Sequence, residues 1–129
     1  VRGWSNFGDY VDLIRSFDIA LDPFPFNGGT TTCHLFWYGA PIVTLAGERQ
    51  VSRMGVSLLH AIGLGELVAQ TPEQYVQKAA ALAGDVPRLR EIRHSLRRRM
   101  LDSPLCDARG YTRSLEAAFR QMWTTYCTE

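Results

Sequence analysis

The sequence holds a single lysine, Lys78, and its 14 basic against 13 acidic side chains leave a net charge of +1. So small an imbalance excludes a bulk field that would draw the whole molecule to nucleic acid or to an anionic membrane. Cysteine is scarce: Cys33, Cys106 and Cys127 are odd in number and form no C-x-x-C, which argues against both a zinc site and a disulfide framework. His34, His60 and His94 are equally scattered, with no H-E-x-x-H, so no metal site is expected. No apolar run approaches the ~20 residues that cross a bilayer, and no charged-then-apolar leader opens the chain. Neither G-x-x-x-x-G-K-[ST] nor G-x-G-x-x-G occurs, so a simple ATPase and a dinucleotide dehydrogenase lose their main support. These absences point to a soluble, cytoplasmic chain with no nucleic-acid partner, no membrane partner and no cofactor.

What is present suits one globular domain: 129 residues, 46% apolar and 21% charged. Tyr10, Leu13, Ile14 and Phe17 place one apolar stripe on a helix of about residues 9 to 16. Ile19-Ala20-Leu21 is a short buried strand, and Pro23, Pro25 and Asn27-Gly28-Gly29 end it in a loop. Thr30 to Tyr38 then predicts a helix stopped by Gly39 and Pro41, and Ile42 to Leu45 a second buried strand. The spacing between the strands is long enough for a parallel crossover, a βαβ unit. Ser52 is placed to cap a helix running to Ile62 with Gly63 as its stop, and Leu67 to Ala69 predicts a third strand.

Thr71-Pro72-Glu73-Gln74 supplies N-cap, first-turn proline and capping partner for a helix to Gly84, and Asp85 and Pro87 open another to about Leu101. Ser103-Pro104 breaks the chain before a last helix, from about Gly110 to Tyr126, whose apolar face is Leu115, Phe119, Met122 and Tyr126. Strand and helix in alternation, then helices alone, predict the end of a doubly wound α/β domain with a short parallel sheet. So few strands leave sheet edges uncovered, and the chain opens Val1-Arg2-Gly3 without an initiator methionine. The expectation is therefore a piece of a longer polypeptide, with further strands upstream.

Asn27 to Thr32 carries the chemistry. It joins a buried strand to a helix N-terminus, where α/β folds bind ligands. Glycines let the backbone approach, the first-turn N–H groups point outward, and the helix dipole favours negative charge. With the hydroxyls of Thr30, Thr31 and Thr32, such a turn could cradle a diphosphate. The plain alternative, that Asn-Gly-Gly is a turn and Thr30 an N-cap, stays open on spacing alone.

Asp18 to Asp22, Asn27 to Thr32, Leu35 to Leu45 and Gly47-Glu48-x4-Arg53 together resemble the C-terminal catalytic lobe of O-GlcNAc transferases, including the SPINDLY type. Ser103-Pro104-Leu105, Tyr111-Thr112 and Met122-Trp123-x-x-Tyr126 extend the resemblance, which runs from about residue 15 onward. It implies a two-lobed GT-B glycosyltransferase that moves a sugar, most simply GlcNAc from UDP-GlcNAc, to Ser or Thr hydroxyls of proteins behind a tetratricopeptide array. This chain would be one partial, Rossmann-like nucleotide-sugar-binding lobe over residues 1–129. The resemblance puts the donor diphosphate at Gly29, Thr30 and Thr31, with Gly28 and Thr32 in the same loop. It puts His34 where the family carries an acidic residue for the ribose. A GDP-fucose-dependent O-fucosyltransferase and a noncatalytic nucleotide-binding or interaction module are the competing readings. No catalytic residue is assigned, and Asp22 and Glu48 have no defensible partner by spacing.

Other residues read more plainly. Cys33 and His34 project about 100° apart on a helix and cannot form a dyad, so Cys33 reads as a small core residue. Glu48, Arg49 and Arg53 read as a solvated loop, with a place at the ligand-facing end of the sheet as the alternative. Six arginines between 88 and 99 against Asp85 and Glu91 give that helix a local +4, but they circle several faces with no aromatics between them, unlike an RNA-binding stripe. Trp37 and Trp123 read as core or interlobe packing.

Overall fold

A computed structural model describes residues 6–128. Its elements run α1 (Phe7–Arg15), β1 (Ala20–Leu21), α2 (Thr30–Trp37), β2 (Ile42–Leu45), α3 (Met54–Ala61), β3 (Val68–Ala69), α4 (Pro72–Gly84), α5 (Val86–Leu101) and α6 (Ala108–Thr128). The three strands form a parallel sheet in the order β1-β2-β3, with Ala20 opposite Ile42 and Thr44 opposite Val68. The predicted βαβ unit is β1-α2-β2. Because β2 is central and covered on both faces, its Ile42, Val43 and Thr44 are all buried, as a continuous apolar run requires.

Local signals set most boundaries. Asn6 accepts the Asp9 N–H at 3.0 Å, so α1 starts two residues before the predicted helix. Thr71 caps α4 by accepting the Gln74 N–H, and Asp85 caps α5 by accepting the Arg88 N–H. Gly39 (φ 87°) and Gly63 (φ 70°) supply the left-handed residue that ends α2 and α3. Ser52 departs from expectation. Its hydroxyl donates to Arg49 O at 2.8 Å and accepts the Arg49 N–H at 3.2 Å, closing a 3-10 turn at Gln50–Ser52, so α3 begins at Met54 without a side-chain cap.

The core lies between the sheet and α1 to α5, around Phe36, Ile14, Ile42, Leu59, Leu64, Ile92 and Leu96. The arginines of α5 brace this body. Arg93 donates to Asp18 and to Phe17 O, Arg88 pairs with Glu66 and Glu91, Arg99 donates to Ser95, Ile62 O and Gly63 O, and Arg97 lies 4.2 Å over the half-buried Trp37 ring.

α6 behaves differently. None of its described residues is buried, and Leu115, Phe119, Met122, Trp123 and Tyr126 are all exposed, Trp123 at 66%. Of the two readings of Trp123, core or interlobe packing, the first is therefore corrected. The helix departs from the body after the Pro104–Cys106 turn, which is its main neighbour among the described residues, and its apolar face is left exposed.

Candidate functional site

The site begins where β1 ends. Asp22 follows Leu21, is 3% exposed, and donates its N–H to Val43 O at 3.0 Å, so β1 pairing carries the backbone one residue past the strand. A carboxylate taken out of water needs donors. Oδ1 accepts the Gly28 N–H at 2.8 Å and Oδ2 accepts the Thr44 hydroxyl of β2 at 2.6 Å. Burial pushes the Asp22 carboxyl above the usual carboxylate range, and these two hydrogen bonds pull against that rise. The intervening Pro23–Asn27 segment folds back on itself. Asn27 is buried, donates Nδ2 to Pro23 O at 3.0 Å and its N–H to Val51 O at 2.9 Å, and accepts the Gly55 N–H at 3.4 Å.

Past Gly28 the chain enters α2. Gly29 is the N-cap and Thr30 the first helical residue, which removes the reading of Thr30 as the cap. Among the described residues, the N–H groups of Gly29, Thr30 and Thr31 donate to no protein acceptor, the ordinary state of a helix start. Thr30 and Thr31 are exposed beside them. Thr32 is not: at 2% exposure it packs under the turn, where a Cβ on Gly28 would come within 2.6 Å of its hydroxyl. The structure thus divides the predicted loop in two. Gly29, Thr30 and Thr31 present donors, whereas Gly28 and Thr32 hold its shape.

His34 lies one turn further along α2 and faces α1. Its Nδ1 shares a 2.9 Å hydrogen bond with the Tyr10 hydroxyl, and the two rings meet edge-on at 5.7 Å, which leaves Nε2 for any other partner. Cys33 packs against the core, and burial pushes its thiol up, which suits an inert residue.

Beside the turn, a cleft of about 520 Å³ opens between Phe24–Phe26 and Leu45–Ser52. Its walls are largely apolar, with Glu48 and Arg49 among the lining residues. Arg53 serves the loop: its Nη1 donates to Gly47 O at 3.0 Å. Ala20 is half-buried and Leu21 59% exposed, so the reading of β1 as a buried strand is corrected, because it lies at the edge of the sheet. Two groups that matter here had no role in the sequence reading. Asp22 was given no partner, yet an acid directly after an apolar strand and a threonine inside the next strand are the signal for such a pair. Tyr75 of α4, whose hydroxyl donates to Asp22 O at 2.9 Å, left no local signal across 53 residues.

The chain can now be set beside known proteins. The profile of Glycosyl transferase family 41 matches residues 9–115. A probable UDP-N-acetylglucosamine–peptide N-acetylglucosaminyltransferase SPINDLY of Hordeum vulgare is 49% identical over 119 residues, 92% of this chain and 13% of that protein. The corresponding SEC protein of Arabidopsis thaliana is 35% identical over 112 residues, 86% of this chain and 12% of its own length. Among solved structures, a mutant O-GlcNAc transferase of Thermobaculum terrenum superposes with a TM-score of 0.87 at 36% identity, over 96% of this chain and 24% of that one. This chain spans about an eighth of the curated relatives it matches, and its short parallel sheet with flanking helices is that of a lobe of the transferase. A profile match across most of the chain, a near-half identical relative and a superposable lobe agree, and the chain belongs to glycosyl transferase family 41.

Proposed function

We propose that residues 1–129 form a partial nucleotide-sugar-binding lobe, and that its Gly29-Thr30-Thr31 turn seats the donor diphosphate of a protein O-glycosyltransferase. The donor is UDP-GlcNAc and the acceptors are Ser and Thr hydroxyls of proteins. The observation that carries this reading is the cluster of N–H groups without protein acceptors at the start of α2, flanked by two exposed hydroxyls at the carboxyl end of the sheet. The names of the relatives support this sugar and a peptide acceptor.

In glycosyl transfer the leaving diphosphate gathers charge as the bond to the anomeric carbon breaks. Fixed N–H and O–H donors stabilise that charge without reorganising. Gly29, Thr30 and Thr31 supply those donors, and the α2 dipole adds to them. His34, its ring oriented by Tyr10, meets the ribose through Nε2. Aligning the acceptor hydroxyl and removing its proton fall to parts of the full-length protein outside this chain, as does acceptor choice, which we assign to a tetratricopeptide array. We place the reaction in the cytoplasm; among the described residues no helix is long and apolar enough to cross a membrane.

Transfer of radiolabelled GlcNAc from UDP-GlcNAc to a panel of Ser/Thr peptides tests the reading. The full-length protein is expected to label the peptides and the 129-residue chain alone to leave them unlabelled. Labelling from GDP-fucose in place of UDP-GlcNAc would overturn the donor assignment, and turnover by the isolated chain near the full-length rate would overturn the division of labour.

A further inference from the structure

Asp22 is a buried carboxyl group that the proposed donor chemistry does not touch, and it stands at the root of the segment that ends in the donor turn. Three parts of the fold hold that one residue. Its Oδ2 is fixed from β2 by the Thr44 hydroxyl, and its Oδ1 takes the Gly28 N–H and so ties the first residue of the segment to the last. Its backbone carbonyl accepts the Tyr75 hydroxyl, which reaches in from α4 at 2.9 Å. The Tyr75 ring also meets Phe24 edge-on at 5.7 Å, so the same side chain steadies the middle of the segment. Gly55 closes the back: a Cβ there would collide with both the Asp22 carboxyl and Thr44, which lets α3 approach only as glycine.

Directly beyond Gly28, Gly29 begins the set of N–H groups without protein acceptors among the described residues, and Thr30 adds the first exposed hydroxyl. An error in the placement of Gly28 therefore passes directly into the direction of the donors. A turn held before ligand arrives pays less ordering entropy on binding. From this we infer that Asp22 and Tyr75 are a positioning pair for the diphosphate turn, α4 setting the geometry of a site it does not touch. The inference rests on the donor reading above and goes beyond it by assigning control of the turn to groups behind it.

The pair is separable from the fold. The core is built around Phe36, Leu59 and Leu64, and Tyr75 is only half-buried, so Tyr75→Phe keeps the ring against Phe24 and deletes one hydroxyl. In the full-length protein, UDP affinity by calorimetry and amide exchange of peptides covering residues 22–32 are read for wild type, Tyr75→Phe, Asp22→Asn and Asp22→Ala. Tyr75→Phe is expected to weaken UDP about fivefold, the equivalent of one neutral hydrogen bond. Asp22→Ala is expected to weaken it about tenfold or more, and Asp22→Asn, which still accepts the Gly28 N–H, to recover most of that loss. Exchange across residues 22–32 should quicken in Tyr75→Phe and Asp22→Ala, while exchange in α5 stays at the wild-type rate.

Wild-type exchange and wild-type UDP affinity in Tyr75→Phe would overturn the inference, and so would quickened exchange with affinity unchanged. If Asp22→Ala fails to fold, Tyr75→Phe and Asp22→Asn still decide. A wild-type protein that binds no UDP refutes the donor reading by itself, and the exchange arm then judges the pair without any ligand.

Discussion

Two loops leave the carboxyl end of the sheet side by side, and they treat their polar groups in opposite ways. The one after β2 carries the charges, Glu48, Arg49 and Arg53, yet turns much of its hydrogen bonding inward. Gly47 N–H donates to Ser52 O, the Ser52 hydroxyl bridges both backbone groups of Arg49, Arg53 N–H donates to Gln50 O, and the Arg53 guanidinium reaches Gly47 O. The one after β1 carries no charge beyond the buried Asp22, yet where it passes into α2 the N–H groups of Gly29, Thr30 and Thr31 have no protein acceptor among the described residues. On the proposed reading, charge in a loop therefore does not mark the anion site. Donors left over after the fold has satisfied itself do, because a helix start has N–H groups that nothing inside the helix can accept.

The largest effect expected from this contrast comes from Thr30→Ala with Thr31→Ala. Hydrogen bonds to a charged phosphate are worth roughly 1.5 to 3 kcal/mol each, so UDP should bind at least about a hundredfold more weakly in the full-length double variant. Unchanged affinity in calorimetry would place the diphosphate elsewhere. Next is Gly55→Ala, which forces a methyl group against Asp22 and Thr44; overpacking of this kind costs about 1 to 3 kcal/mol, to be read from a denaturant midpoint. A wild-type midpoint would show that α3 has room there.

The raised carboxyl of Asp22 gives a third test, in pH. A group whose folded pKa lies above its unfolded value holds its proton more tightly in the native state, so its contribution to stability is full below the ordinary carboxylate range and falls as pH rises through the folded value. Asp22→Asn should flatten that decline in thermal midpoints measured from acid toward neutral pH. A profile parallel to wild type would show that Asp22 titrates normally.

Much of this architecture is legible in the residues. Continuous apolar runs at Ile19 to Leu21 and Ile42 to Leu45, with room for a crossover between them, give the βαβ unit. Thr71-Pro72-Glu73-Gln74 gives the start of α4, and Gly39 and Gly63 give the ends of α2 and α3. The strand-to-helix turn at Asn27 to Thr32 was legible as a place, and its division into exposed and buried residues was not, because Thr32 is buried by packing that no spacing encodes. Ser52 has the right chemistry for a cap and uses it on the preceding turn, since a hydroxyl serves whichever N–H lies closest. α6 is the clearest limit. Its stripe at helical spacing says that a face calls for cover, and periodicity alone does not say whether this α/β unit supplies it.

Two smaller effects sharpen the contrast. His34→Asp places a carboxylate where the family resemblance expects one and should tighten UDP by about threefold through a stronger acceptor for ribose hydroxyls. Affinity that stays the same or falls would instead make the imidazole an adapted contact, held by Tyr10. Glu48→Ala with Arg49→Ala, on the self-satisfied loop, should change UDP affinity by no more than about twofold, as exposed substitutions generally do. A tenfold loss would mean that the charged loop belongs to the site and would erase the contrast between the two.

The most direct measurement is a crystal structure of the full-length protein with UDP bound. The account predicts the diphosphate at the start of α2, its oxygens within hydrogen-bond distance of the Gly29, Thr30 and Thr31 N–H groups and of the two threonine hydroxyls, with Gly28 still bonded to Asp22. A diphosphate seated on Gly47–Arg53, or a start of α2 left without ligand while UDP binds elsewhere, would contradict it.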